Sequence, residues 1–281
     1  MPHFDLAHFD LIAFWRSLHI NPLFSVSGLL VGLLVGLTGV GGGSLMTPLL
    51  VLLFRVHPAT AVGTDLLYAA ITKTVGTSIH GTKRAVEWKV VGLLALGSIP
   101  VTVATLWAIQ HFGKQDALSH LITLILGYAL FLTAALLLLR GVIRRLAEKR
   151  QAEAPDEPQT FRKRRALFTI LTGAVLGLLV SLTSVGAGAL GVTALILLYP
   201  RLPTLRIVGS DIAHAVPLTF IAGMGYFMIG KVDVAMLIAL LIGSIPGIII
   251  GSLLAPKLPE GVLRVVLAAV LTLVGFKLVT G

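Results

Sequence analysis

Apolar residues run along this chain in ten stretches, and most of its charge lies between them. The first five are Leu23–Leu37, Leu45–Phe54, Ala59–His80, Trp88–Ile109 and Ser119–Val142. The second five are Ala166–Leu182, Leu190–Tyr199, Ile207–Met228, Val232–Leu254 and Val262–Leu278. A helix needs about 20 predominantly apolar residues to cross the hydrocarbon core of a bilayer, and most of the ten approach that length. The second stretch of each set reaches only about 15–18 Å as a helix. It either crosses poorly or turns back with its predecessor as a re-entrant hairpin. The pattern predicts an all-α polytopic membrane protein.

Between the first and second stretch of each set the apolar run breaks. The first break is Gly36-Leu37-Thr38-Gly39-Val40-Gly41-Gly42-Gly43-Ser44; the second is Ser181-Leu182-Thr183-Ser184-Val185-Gly186-Ala187-Gly188-Ala189. Glycine costs about 1 kcal/mol relative to alanine inside a helix, so neither segment continues one. The resemblance between the breaks extends along the chain. Val40-Gly41 matches Val185-Gly186 at an offset of 145, and Val62-Gly63-Thr64-Asp65 matches Val208-Gly209-Ser210-Asp211 at 146. Val86-Glu87 with Val232-Asp233, and Gly97-Ser98-Ile99-Pro100 with Gly243-Ser244-Ile245-Pro246, keep the 146 offset. The chain is an internal duplication, expected as residues 21–142 and 166–281. A polar linker over 143–165 separates the halves. Residues 1–20, with Phe4, Leu6, Phe9, Phe14 and Trp15 among His, Asp and Arg, fit a helix lying along the membrane surface.

Composition agrees. The 281 residues are 56% hydrophobic and 12% charged, against about 25% charged in soluble domains. The net charge of +10 suggests nucleic acid only until its distribution is read. The basic residues sit in short loops and in the linker (Arg144, Arg145, Lys149, Arg150, Arg162, Lys163, Arg164, Arg165), as the positive-inside rule requires of cytoplasmic loops. Nucleic-acid binding is not expected. The absence of cysteine removes disulfides and thiolate metal sites. If both short stretches cross, or both turn back, each half has an odd number of crossings and the halves are inverted. Only a mixed case makes them parallel.

Two breaks at matching places in a repeat point to a transport site. Thr38, Gly39, Gly41, Gly42, Gly43 and Ser44 can present backbone N–H groups and hydroxyls at a helix start, a cradle for an anion; Thr183, Ser184, Gly186 and Gly188 repeat it. The alternative is that small residues merely let helices pack closely. On the third stretch, Asp65 shares a face with Tyr68, Thr72, Lys73 and His80; Asp211, His214, Thr219 and Tyr226 occupy the corresponding face of the second copy. Ionisable groups inside a span are costly and usually face a cavity. Lys73 can neutralise an anion, and Asp65, His80, Asp211 and His214 can couple protons or gate. The plainer reading makes the aspartates helix-end ligands and the histidines packing groups. Gly-Ser-Ile-Pro marks a kink in each fourth stretch. No P-loop, metal cluster or hydrolytic triad is present in sequence, so neither an enzyme nor a cofactor is expected.

These paired motifs, G-L-T-G-V-G-G-G, A-V-G-T-D and V-E-W in the first half and S-V-G-A-G, V-G-S-D-I-A-H-A-V-P, G-K-V-D and G-S-I-P-G in the second, resemble the sulfite exporter TauE/SafE family over about Gly28 to Leu278. The resemblance implies a carrier in the bacterial plasma (inner) membrane that exports small sulfur-containing anions such as sulfite or sulfoacetate, with a link to the proton-motive force. The partners expected are a small anionic solute and the lipid bilayer. A cation carrier or channel, and an accessory membrane subunit, stand as the alternatives.

Overall fold

A computed structural model describes residues 22–38, 43–80, 86–112, 115–153, 159–186, 188–254 and 260–280. The expected surface helix over 1–20, residues 39–42 of the first glycine-rich break and the basic residues 81–85 lie outside that set, as do the side chains of Thr38, Ser44 and His80. The described residues form ten helices: α1 (Pro22–Thr38), α2 (Gly43–Leu52), α3 (Pro58–His80), α4 (Trp88–Phe112), α5 (Gln115–Glu153), α6 (Gln159–Thr183), α7 (Ala189–Leu198), α8 (Thr204–Met228), α9 (Val234–Leu254) and α10 (Glu260–Thr280). They coincide with the ten apolar stretches. Pro22 and Pro58 open α1 and α3, and Pro203 stands just before α8. A helix start suits proline, because the N–H it lacks has no partner there.

Six helices, α4, α5, α6, α8, α9 and α10, are long and apolar enough to cross a membrane. Their outer faces carry exposed large apolar side chains such as Leu132, Phe168, Phe220, Leu253 and Leu273. Lipid is the solvent that such a surface fits. The polar stretch 143–165 is largely helical, since α5 runs on to Glu153 and α6 begins at Gln159. Its run Arg-Arg-Leu-Ala-Glu-Lys-Arg-Gln consists of strong helix formers.

The halves are interlaced. Helix α1 lies along α9, and α4 along α6. Gly28, Gly32 and Gly36 meet the backbone at Leu240, Ser244 and Ile248; Gly173 and Gly177 meet it at Leu94 and Ser98. A Cβ at any of these five glycines would stand closer than 3.0 Å to opposing backbone, so small residues are what permit the approach. Both contact series rise together, which makes each pair parallel. Under the sequence offset they are the same contact made twice: each half lays its first helix on the fourth helix of the other.

The third helices of the two halves, α3 and α8, pack directly on one another with opposite register. Gly63 meets Tyr226 and Lys231, while Gly223 meets Leu67. The two helices are antiparallel. At one end the Asp233 N–H donates to Thr64 Oγ1 at 3.1 Å. At the other the Glu87 N–H donates to Ser210 Oγ at 2.8 Å. These too are corresponding positions. The start of α9 therefore lies beside the start of α3, and α1, parallel to α9, begins at that same end. Helices α1 and α2 enter and return to one end of the bundle, and by the same argument α6 and α7 return to the other. The short α2 and α7 are the returning limbs.

Candidate functional site

The antiparallel α3–α8 pair carries the ionisable residues of the span, and the turns of the hairpins come to it. Asp65 on α3 is buried. The Thr47 N–H donates to its Oδ2 at 3.1 Å, and the Thr47 hydroxyl donates to the same oxygen. This carboxylate thereby ties the returning limb α2 to α3. Its Oδ1 has no hydrogen-bond partner among the described residues. Facing it is Ser184, from the second half.

Ser184 ends α6 because the backbone there turns left-handed, with φ +58, followed by Gly186 at +128 and Gly188 at +122. A side chain in that region is uncommon and marks a position held by its surroundings. The corresponding residues of the first half are Gly39, Gly41 and Gly43, so of these six sequence positions only Ser184 carries a hydroxyl. Ser184 Oγ is buried and faces the Asp65 carboxylate, with no other hydrogen-bond partner among the described residues. Thr183 does local work: its hydroxyl donates to Leu179 O at 2.6 Å and accepts from the Val185 N–H at 3.1 Å, closing the turn.

Asp211 on α8 is equally buried but differently held. Among the described residues neither of its carboxylate oxygens has a hydrogen-bond partner. Val192 occupies the position that corresponds to Thr47, so the hydroxyl that satisfies Asp65 has no counterpart here. The carboxylate fits because α7 has glycine opposite it; a Cβ on Gly191 would overlap Asp211 Oδ1. The Gly188 amide faces the same carboxylate. Lys73, partly buried on α3, interacts electrostatically with both aspartates. Arg140 on α5 interacts with Asp211 as well.

Two further pairs brace this centre across the halves. Tyr68 on α3 donates its hydroxyl hydrogen to Ser244 Oγ on α9 at 2.7 Å. His214 on α8, at the position matching Tyr68, pairs through Nε2 with Ser98 Oγ on α4 at 2.8 Å. Ser98 and Ser244 are the serines of the two Gly-Ser-Ile-Pro motifs. The prolines of those motifs lie inside α4 and α9, and beside them the glycine gives close packing and the serine a polar contact. The adjacent glycines, Gly97 and Gly243, meet the backbone of Ile170 and Ser25.

The structure thus brings together Asp65, Lys73, Ser184, Gly188, Asp211 and, one turn along, His214. The side chains of Thr38, Ser44 and His80, with Gly39, Gly41 and Gly42, lie outside the described residues. Four contributors were missed: Thr47, Ser98, Ser244 and Arg140. The repeat held a signal for the serines, since Ser98 and Ser244 recur at the same offset as Tyr68 and His214. Thr47 and Arg140 have no such echo. Among the described residues no three His, Asp or Glu side chains cluster as a metal site.

With six membrane-length helices among the described residues and ionisable groups buried between antiparallel helices, the bundle is that of a multi-pass membrane protein. Comparison with known proteins names the family. Residues 24–278 match the family model described as sulfite exporter TauE/SafE, and the chain belongs to that family. It is similar to the probable membrane transporter YjnA of Bacillus subtilis, 41% identical over 258 residues, which cover 90% of this chain and 97% of that protein. It is also similar to the probable membrane transporter YdhB of the same organism, 28% identical over 84% of this chain and 90% of that one. A probable membrane transporter of Methanocaldococcus jannaschii is 24% identical over 93% of this chain and 96% of its own length. No solved structure matches the chain. The protein is a membrane transporter and not an enzyme.

Proposed function

We propose that the protein is a secondary transporter that exports a small sulfur-containing anion, such as sulfite or sulfoacetate, across the bacterial inner membrane with proton coupling. The halves act as an inverted repeat, a reading supported by the antiparallel packing of α3 on α8. The observation that carries the site is a single juxtaposition: the glycine turn of the second half faces Asp65 of the first, with Lys73 near enough to interact electrostatically with both Asp65 and Asp211. Backbone N–H groups and hydroxyls of Thr38–Ser44 and Thr183–Gly188 are the anion donors, and Lys73 supplies positive charge. Asp211 carries the coupling proton. Asp65, His80 and His214 gate, because two of them already bind elements that must part: Asp65 holds α2 through Thr47, and His214 holds α4 through Ser98. Alternating access moves the hairpins and the α3–α8 pair against the remaining helices.

Flux into sealed proteoliposomes tests this reading. Sulfite or sulfoacetate movement that responds to an imposed pH gradient is the expected result, and Lys73→Met should abolish it. Cation flux without anion flux would replace this reading with a cation carrier. Flux of neither would leave an accessory role.

A further inference from the structure

The two aspartates occupy corresponding positions but have unequal surroundings. Asp65 has the Thr47 N–H and hydroxyl; Asp211 has no hydrogen bond to either oxygen among the described residues, although its side chain is about 99% buried. An ionised carboxylate without hydrogen bonds is costly to bury unless cations compensate it. The compensation at Asp211 comes from Lys73 on α3 and Arg140 on α5. Glycine at position 191 opens α7 by the volume of one methyl group, and the carboxylate oxygen fills that volume. The chain has thus built a place for an oxyanion beside two cations and the left-handed Gly188 turn, and has put its own carboxylate there.

Resting on the anion-transport reading above, we propose that Asp211 is a resident surrogate for the substrate: its carboxylate holds the anion site opposite Lys73 and Arg140, and a proton taken up by Asp211 releases both cations to an incoming anion. Arg140 is then a second anion-binding residue. The step is simple in charge. One solvent proton adds to Asp211, the carboxylate becomes neutral, and one negative charge on the substrate replaces it between Lys73 and Arg140. Without the proton, carboxylate and anion repel at close range. Other charged groups facing α8 do not take over this role. Asp65 is bound to Thr47, and Arg206 at the helix start lies 3.8 Å from Glu87. His214 pairs with Ser98, the ionisable side chains of α4, Lys89 and His111, are exposed near its two ends, and neither α7 nor the apolar span of α6 bears one. A dianion that crosses with one proton keeps one negative charge, and an inside-negative membrane potential then favours its export.

The test uses the full chain, purified in detergent, with sulfoacetate as the probe because its own groups stay ionised at neutral pH. In weakly buffered solution, binding should take up about one proton per anion. Affinity should fall about tenfold per pH unit above the Asp211 titration, as one-proton linkage requires. Asp211→Asn should bind without proton uptake and with a flat pH profile. Arg140→Gln should weaken binding about tenfold or more, as loss of a charged contact does, with Arg140→Lys recovering part of it. Binding by the wild type without proton uptake, or uptake that persists in Asp211→Asn, would overturn this proposal and leave the anion reading standing. No binding of sulfoacetate or sulfite by the wild type would overturn both. Where Asp211→Asn fails to fold, the proton count on the wild type and the Arg140 pair decide.

Discussion

Asp65 has a threonine hydroxyl that Asp211 lacks, and that difference is testable. Thr47→Val should leave Asp65 buried without its side-chain donor and cost about 1–3 kcal/mol of stability, read as a lowered unfolding temperature in detergent. Thr47→Ser should restore most of it, and in the Thr47→Val/Asp65→Asn double variant the losses should not add. At the other aspartate, Gly191→Ala should destabilise the protein, because its methyl group takes the volume of Asp211 Oδ1. Adding Asp211→Ala should bring stability back while transport stays lost. Much of this scale was legible in sequence. Lys73, Asp65 and Asp211 stand out because charge inside an apolar run is expensive. Arg140 does not, since it falls near the end of its apolar stretch, where a basic residue ordinarily marks the membrane surface. Thr47 does not either, because its partner Asp65 belongs to another helix and only packing joins them.

At the level of the helices, close approach on glycine is what holds the bundle together. Inside lipid there is little hydrophobic gain when two helices meet, so contact area and fit decide. Gly32→Val, which pushes α1 off the backbone of Ser244, should cost at least the ~1–3 kcal/mol of ordinary overpacking and lower the thermal stability of the purified protein. Gly92→Ala is the matching control: nothing lies within 4 Å of that position, so the change should be neutral or slightly stabilising through helix propensity. All ten helices could be placed from the apolar pattern. Which helix pairs with which could not, because glycine spacing announces a packing face without naming the face it meets. Whether α2 and α7 cross or turn back was likewise undecided by length, and the contacts at the helix ends, Thr64 with Asp233 and Ser210 with Glu87, favour turning back.

For the molecule as a whole, the repeat makes a prediction about sides. Arg55 and Arg201 occupy corresponding loops, after α2 and after α7, and both are exposed. An inverted repeat places them on opposite faces of the membrane, a parallel repeat on the same face. The natural chain has no cysteine, so Arg55→Cys and Arg201→Cys can each be labelled with a membrane-impermeant maleimide without background. Reaction of one from outside intact cells and of the other only after the membrane is opened is the expected result; labelling of both from one side would refute the inversion. The interlacing of α1 with α9 also bears on how the protein is made. When α1 leaves the ribosome, the helix that will cover its glycine face lies some two hundred residues downstream. At about 5–20 residues per second, α1 waits on the order of 10–40 s in the bilayer before α9 is synthesised. During that interval its glycine seam is open to lipid, to a chaperone of the insertion machinery or to the α9 of a neighbouring chain. Biogenesis, more than the folded bundle, is therefore the stage at which this protein is most exposed to mispairing.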